Sequence, residues 1–562
     1  MALTREELHA ALVESGGVSE KDFTIAEQSR DVGRFGIDGA LVHRGVLRDE
    51  EVGELIADYL GAPFVNLRQQ DIKKDVLERI PEVFARSQHI VPLSQTGEIV
   101  RIATADPKNV LLKTLLEKYL RNEVQFFYAT PRDVDASLYL FQQDPEQVLK
   151  EIVKKAGGSP DEGTAVIDVV NAIIDYAYQN RASDIHLEPE QDYTVIRYRI
   201  DGVLHDITDL PKSFHESIMT RLKVVARLAT DEHRAAQDGK ISHESAWGDS
   251  IEIRLSVIPT TNGEKAVMRL LSEKAREFSL TDLGLADRDY KKFAEAIEKP
   301  WGMILVTGPT GSGKTTSLYA GLKVLNTRDV NISSIEDPVE YDIEGVNQIQ
   351  VNPKTNLTFA QGLRSIVRQD PDIIMVGEIR DPETAEIAVN AALTGHLVLS
   401  TIHTNDAATS FPRLKDMNIE PFLMASTAVC IVAQRLVRKI CVRCIRSVTL
   451  SKQEEKLLTS YPQIAGYLKK ISGKKSVAGL RFFRGAGCAV CHQTGYAGRS
   501  GIFEVLMVTD AVRAAVMANK NADDIRDVAV KEGMTTMLYD GIDKVLTGVT
   551  TLEEVLRVTQ DG

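Results

Sequence analysis

The sequence predicts a multidomain α/β protein whose largest domain is built on a mostly parallel sheet, and three observations carry that prediction. From about residue 290, the short apolar runs MILVT, NISSI, DIIMVG and LVLST alternate with helical stretches, the pattern of strands buried on both faces. Between about 164 and 280, the runs TVIRYRID, GVLHDITDL, SIEIRLSVI and EKAVMRLL read as strands of a mixed α+β domain. A chain of 562 residues also exceeds what one hydrophobic core organises.

The elements follow in order. Residues 1–145 form an N-terminal region, helical over 1–60 and mixed α/β over 61–145. A linker over 146–163 is marked by Gly157, Gly158, Ser159, Pro160 and Gly163. The α+β domain covers 164–285 and the parallel-sheet core 286–435. The remainder, 436–562, holds four paired cysteines and a helical tail.

A net charge of −13 means that the molecule as a whole repels phosphate backbones, so no nucleic-acid partner is expected. The stretch Ile387 to Asn405 lacks charges but carries Asn390, Thr394, His396, Ser400 and His403, and reads as core with chemistry, not as a membrane span. The start, MALTREELHAALVES, has no apolar block of a signal peptide. The expected location is cytoplasmic, peripheral at the inner membrane through partners.

MILVT runs directly into Gly308-Pro309-Thr310-Gly311-Ser312-Gly313-Lys314-Thr315-Thr316. A strand, a glycine-rich loop and a helix opening at the lysine form a phosphate-binding loop, in which backbone N–H groups turn inward onto phosphate oxygens. Lys314 is expected to bridge the β- and γ-phosphates of ATP and Thr315 to ligate Mg²⁺. Hydrolysis needs carboxylates as well. NISSI runs into Glu336-Asp337-Pro338-Val339-Glu340 and DIIMVG into Glu378, both at strand ends that should open on the ligand crevice. LVLST is bracketed by His396 and His403; the latter reads either as a packing histidine or as a sensor of phosphate or water.

The blocks GPTGSGKTT, SIEDPVEY, PDIIMVGEIRD and TGHLVLSTIHTNDA, in this order, resemble the Walker A, Asp, Walker B and His boxes of the secretion ATPases. That family includes type IV pilus extension ATPases and type II secretion ATPases. The likeness runs upstream through RASDIHLEP, YRIDGVL and QDGKI and covers residues 165–562. It implies a RecA-like core in a hexameric ring, with Glu340 as general base and Glu378 supporting Mg²⁺, directly or through water. It also implies two arginines on the γ-phosphate, matched by Arg254 and Arg269, and an inner-membrane platform protein as partner. The long N-terminal region leans toward assembly of a type IV pilus. A type II secretion motor, and less so a nucleotide-gated scaffold without rapid turnover, stay open.

Cys441-x-x-Cys444 and Cys488-x-x-Cys491 are spaced as a closed structural Zn²⁺ site, with a redox pair as the alternative; pilus extension ATPases resemble this chain in carrying such an element. Cys430 reads as a small buried residue. Arg5, Leu12, Val13 and Gly16 are echoed by Arg34, Leu41, Val42 and Gly45, similar to the tandem motif of secretion ATPases that bind cyclic-di-GMP. The first copy departs from it with Glu7 where glycine is usual. The competing reading is a helical bundle in which these residues are core and turn.

Overall fold

The computed structural model describes residues 3–27, 36–38, 40–41, 46–47, 49–67, 70, 72–141, 151, 163–245, 248–271, 279–450, 455–456, 458, 461–472, 477 and 480–560. The chain divides into two compact units. One comprises Met1–Asp144 with Cys441–Arg446 and Gly485–Gly495; the other comprises Pro145–Ile440, Ser447–Arg484 and Tyr496–Gly562.

The first unit opens on helices Arg5–His9, Glu20–Glu27 and Asp49–Leu60. Thr4 and Glu7 close a reciprocal capping box: Glu7 accepts from the Thr4 amide at 2.8 Å and donates its own amide to Thr4 Oγ1 at 3.3 Å. Leu12, Phe23, Leu41, Val52 and Ile56 are buried together as its apolar centre. A three-stranded sheet follows, with β1 (Ile90–Thr96), β2 (Ile99–Thr104) and β3 (Glu123–Tyr128) in that order. β1 and β2 form a hairpin, while β2 and β3 run parallel, as the helix Val110–Leu120 between them allows.

In the second unit, the α+β part is a six-stranded antiparallel sheet. Its strands are β4 (Ala182–Pro189), β5 (Tyr193–Ile200), β6 (Val203–Pro211), β7 (Gln237–Glu244), β8 (Ser250–Thr260) and β9 (Gly263–Leu271), ordered β6-β5-β4-β9-β8-β7. β8 and β9 alternate in burial along their lengths. One face packs Ile185, Ile196, Ile253 and Leu255 against helices Gly163–Gln179 and His215–Val225. β4 and β7 were not expected from the sequence, because ASDIHLEP and QDGKISHE carry too many polar residues to announce a strand.

The large sheet contains β10 (Gly302–Thr307), β11 (Ile332–Glu336), β12 (Val346–Gln350), β13 (Ile373–Val376), β14 (Leu397–Ile402) and β15 (Ala428–Ile440). β16 (Ile445–Thr449) and β17 (Arg481–Gly485) pair apart from it, and β18 (Tyr496–Met507) closes its edge. The order is β12-β11-β13-β14-β10-β15-β18. Neighbours are parallel except β18, which lies antiparallel on β15. The four apolar runs anticipated in the sequence are β10, β11, β13 and β14, and the C-terminal segment adds β18 to the sheet as well as helices Asp510–Met517, Ala522–Lys531, Met537–Leu546 and Leu552–Gln560. Among the described residues, no helix is long and apolar enough to cross a membrane.

Candidate active site

β10 is buried along its whole length and delivers the chain into Gly308–Gly313, after which the helix Lys314–Leu325 begins. Gly311 and Gly313 have φ of +77° and +86°, a region that strains any residue with a Cβ. The helix therefore starts at the turn with no side-chain cap on its first N–H groups, an arrangement suited to an anion. Lys314 Nζ folds back onto the carbonyls of Gly308 and Pro309, at 2.9 and 3.2 Å. Burial pushes its pKa below the ordinary lysine value, while the Glu378 carboxylate pulls it back up.

Parallel register decides which other groups reach this loop. β10, β14, β13 and β11 run in one direction, so their carboxyl ends share one edge of the sheet. Glu340 lies in the turn after β11, Glu378 just beyond β13 and His403 at the end of β14. His403 Nε2 lies 3.1 Å from Glu378 Oε2, and Arg380 Nε sits 2.6 Å from the same oxygen. Gly308, Pro309, His403, Thr404 and Arg413 are among the residues lining a pocket of about 390 Å³. His396 is at the opposite end of β14: its Nδ1 lies 2.9 Å from the Ala391 carbonyl oxygen, and its neighbour Leu397 pairs with Gly302 at the start of β10. It packs, as a histidine beside a core usually does.

Arg254 and Arg269 part company. Arg254 Nη1 lies 3.0 Å from Glu340 Oε2, and its Nη2 donates to the Val339 carbonyl at 2.6 Å. Arg269 Nε instead lies 3.0 Å from Asp184 Oδ1. The structure thus brings Arg254, Glu340 and Val339 together, and separately Glu378, Arg380 and His403. Sequence reasoning gave no role to Tyr319, Gln348 or Arg380. Glu336 is buried and takes hydrogen bonds from Tyr319, from Ser334 at 2.6 Å and from Gln348 at 3.1 Å. The Tyr319 hydroxyl also accepts the Glu340 amide at 3.3 Å. Burial, reinforced by the Glu336 charge, raises the Tyr319 phenol well above its ordinary value. The first glutamate of the EDPVE turn therefore anchors the turn that carries Glu340. Arg380 was legible in EIRD; Tyr319 left no signal in its helical pattern.

Cys441, Cys444, Cys488 and Cys491 converge, with all four Sγ atoms within 4.8 Å of one another. The gaps Cys441–Cys488 and Cys444–Cys491 are 3.8 Å and Cys488–Cys491 is 3.6 Å. A tetrahedron of thiolates about 2.3 Å from Zn²⁺ has edges of about 3.8 Å, whereas a disulfide needs about 2.05 Å. The four thiols are free, and their spacing fits zinc. Amides of Cys488 and Gly495 donate to Cys491 Sγ, both at 3.2 Å. Burial pushes Cys491 up, but these amide donors together with the Cys488 and Cys444 thiols outweigh it and leave the thiol below its ordinary value. Cys430 is wholly buried, which pushes its thiol up to about 12.

Arg5 is engaged by Glu27, its Nη2 lying 3.0 Å from Oε2, and Leu12 and Leu41 are both fully buried. Arg34, Val42 and Gly45 lie outside the described residues.

A phosphate loop at the carboxyl edge of a parallel sheet, with acids and a histidine on adjoining strand ends, defines a P-loop ATPase with a RecA-like core. The chain belongs to the family described as Type II/IV secretion system protein, whose model matches residues 160–557, and it is an ATP-hydrolysing enzyme of that family. A second model, the MshEN domain, matches residues 60–148. The chain is 36% identical to the type IV pilus assembly ATPase PilB of Myxococcus xanthus, over 97% of each chain. It is 39% identical to type II secretion system protein E of Xanthomonas campestris, over 98% of each. The fold is shared with the ATPase DotB of Yersinia pseudotuberculosis at a TM-score of 0.52 and 19% identity, covering 70% of this chain and 94% of that one.

Proposed function

We propose that this chain is a homohexameric motor that hydrolyses ATP to power pilin assembly in a type IV pilus system, working in the cytoplasm against an inner-membrane platform protein. The observation that carries the reading is the common sheet edge: Gly308–Thr316 beside Glu340, Glu378 and His403, on a chain matched end to end by a pilus assembly ATPase. Loop amides and Lys314 hold the phosphates. Thr315 and Glu378 are the residues that would hold Mg²⁺, which when bound offsets phosphate charge. Glu340 takes the proton of the attacking water. His403, on Glu378, senses the terminal phosphate. Arg254 and Arg269 neutralise it, Arg269 after leaving Asp184.

The four cysteines hold a structural Zn²⁺, and the domains fall at 1–145, 164–285, 286–435 and 436–562 around the 146–163 linker. The MshEN match over residues 60–148 supports a regulatory N-terminal region; binding of cyclic-di-GMP through Arg5 and Arg34, which lie outside that match, rests on the tandem motif in the sequence. The Arg5–Glu27 pair must then open, and titration of the full chain with cyclic-di-GMP tests it: micromolar binding lost in Arg34→Ala is expected, and no heat overturns it. The type II secretion reading is favoured by the X. campestris relative, matched as completely and at slightly higher identity. Co-purification separates the two. Retention of the pilus platform protein, and not the secretion one, is expected; the converse reverses the assignment.

A further inference from the structure

β15 passes directly beside the phosphate loop. Thr307, the last residue of β10, is in register with Ala433, so the next residue on β15, Gln434, stands level with the point where β10 becomes loop. The residue is 2% exposed. Nε2 donates to the Ser312 carbonyl at 2.6 Å, and Oε1 accepts from Ser317 Oγ at 2.7 Å. One amide thus ties the loop's last turn to the first turns of the helix that follows. The backbone of the same residue closes the other end: a Cβ on Gly308 would stand 2.4 Å from the Gln434 carbonyl oxygen, and one on Gly313 3.2 Å from Nε2.

We propose that Gln434 is a positioning residue for the nucleotide site, bracing the phosphate loop so that its amides stay aimed at the β- and γ-phosphates; this rests on the ATP-binding reading of that loop. Packing alone does not call for glutamine here. Val432 and Ala433 precede it on a buried strand, and a leucine or methionine would fill similar space without desolvating an amide. Both polar ends of the side chain are used, and both partners belong to the phosphate loop and its helix, not to the strands flanking β15. Ser317 contributes a buried hydroxyl to the same brace. An unbraced loop spends part of its time in shapes that do not bind, so apparent affinity falls by that fraction while the chemistry of bound ATP is unchanged.

The test uses the full chain with Gln434→Leu, Gln434→Glu, Ser317→Ala and the double variant Ser317→Ala/Gln434→Leu. ADP and ATP affinity, KM, kcat and nucleotide-free unfolding temperature are measured for each. Expected for Gln434→Leu is a loss of affinity for both nucleotides of about tenfold, as for a buried hydrogen-bonding group left without its partner. KM should rise in step and kcat change little. Gln434→Glu should lose at least as much, since a carboxylate cannot donate to the Ser312 carbonyl. The double variant should lose no more than Gln434→Leu alone, because the two residues share one contact. Wild-type affinity in folded Gln434→Leu overturns the proposal, as does a fall in kcat at constant KM. If Gln434→Leu does not fold, Ser317→Ala decides: weaker ADP binding supports the brace and unchanged binding overturns it. Lys314→Ala separates the two ideas: if that variant still binds ATP tightly, the phosphate-site reading fails and the brace falls with it, whereas binding lost in Lys314→Ala but kept in folded Gln434→Leu overturns the brace alone.

Discussion

Replacing Glu340 with Gln removes the carboxylate proposed as base while keeping its size. The Arg254–Glu340 pair is 3.0 Å long, but the two side chains are 21% and 35% exposed, so water screens it and its loss should cost under about 1 kcal/mol of stability. Arg254 keeps its second anchor on the Val339 carbonyl, and the Glu340 amide keeps Tyr319. Lys314 and the loop amides do not depend on Glu340 at all, so ATP should bind as tightly as in the wild type, or more tightly with one negative charge fewer beside the phosphates. Turnover should fall by about 10²–10⁴, the usual contribution of a positioned base, or about 3–5 kcal/mol on the barrier. Steady-state phosphate release gives the rate, and a rapid spin column shows whether unhydrolysed ATP stays on the protein. A folded variant that binds ATP and releases phosphate within tenfold of the wild-type rate refutes the assignment.

Arg254→Gln should lower turnover by on the order of 10³, the low end for an arginine acting on a transferring phosphoryl group, with ADP affinity unchanged in a direct titration. Elemental analysis should find one zinc per chain; Cys491→Ser should release it and lower the unfolding temperature, since metal binding is coupled to folding. Glu554 offers a pH test. Burial would raise its carboxyl, but hydrogen bonds from Arg438 and Arg557 outweigh it and hold the pKa at about 2 against an ordinary 4.5. A depressed carboxylate contributes stability that is fully present above about pH 4.5 and is lost as pH falls toward 2, here at most about 3 kcal/mol. Urea unfolding midpoints against pH should therefore drop steeply below pH 4.5 in the wild type and less steeply in Glu554→Gln, which should also be less stable at pH 7.

The phosphate loop was legible because its chemistry is local: an apolar strand, glycines and a lysine in one run of sequence. The same holds for the paired cysteines, whose spacing already pointed to one four-thiol cluster. What escaped was choice of partner. That Arg269 meets Asp184 and Glu336 meets Tyr319 follows from strand register and helix phase between distant segments, which no local pattern carries. β12, β15 and β18 escaped for a related reason: VNQIQ is too polar to announce a strand, and the other two are long runs whose place in the sheet comes from neighbours. Glu7, which looked like a defect in the Arg5 repeat, has an independent local cause as the closing residue of a capping box.

The register of the α+β sheet also explains why the two arginines behave differently. Lys240, Arg254, Arg269, Asp184 and Arg199 are successive cross-strand partners on β7, β8, β9, β4 and β5, so five charged residues form one row. Like charges directly opposite one another destabilise a sheet unless each finds a counterion. The row contains a single carboxylate, Asp184, and it serves Arg269 at 3.0 Å and Arg199 at 3.6 Å. Arg254 is left to take its counterion from outside the sheet, and it takes Glu340. The side chain proposed as the base thus also balances charge in the neighbouring domain. A ligand that draws the Nη1 end of Arg254 toward a phosphate competes with Glu340 for that donor. In this arrangement, the charge balance of the antiparallel sheet and the freedom of the proposed base meet in one guanidinium.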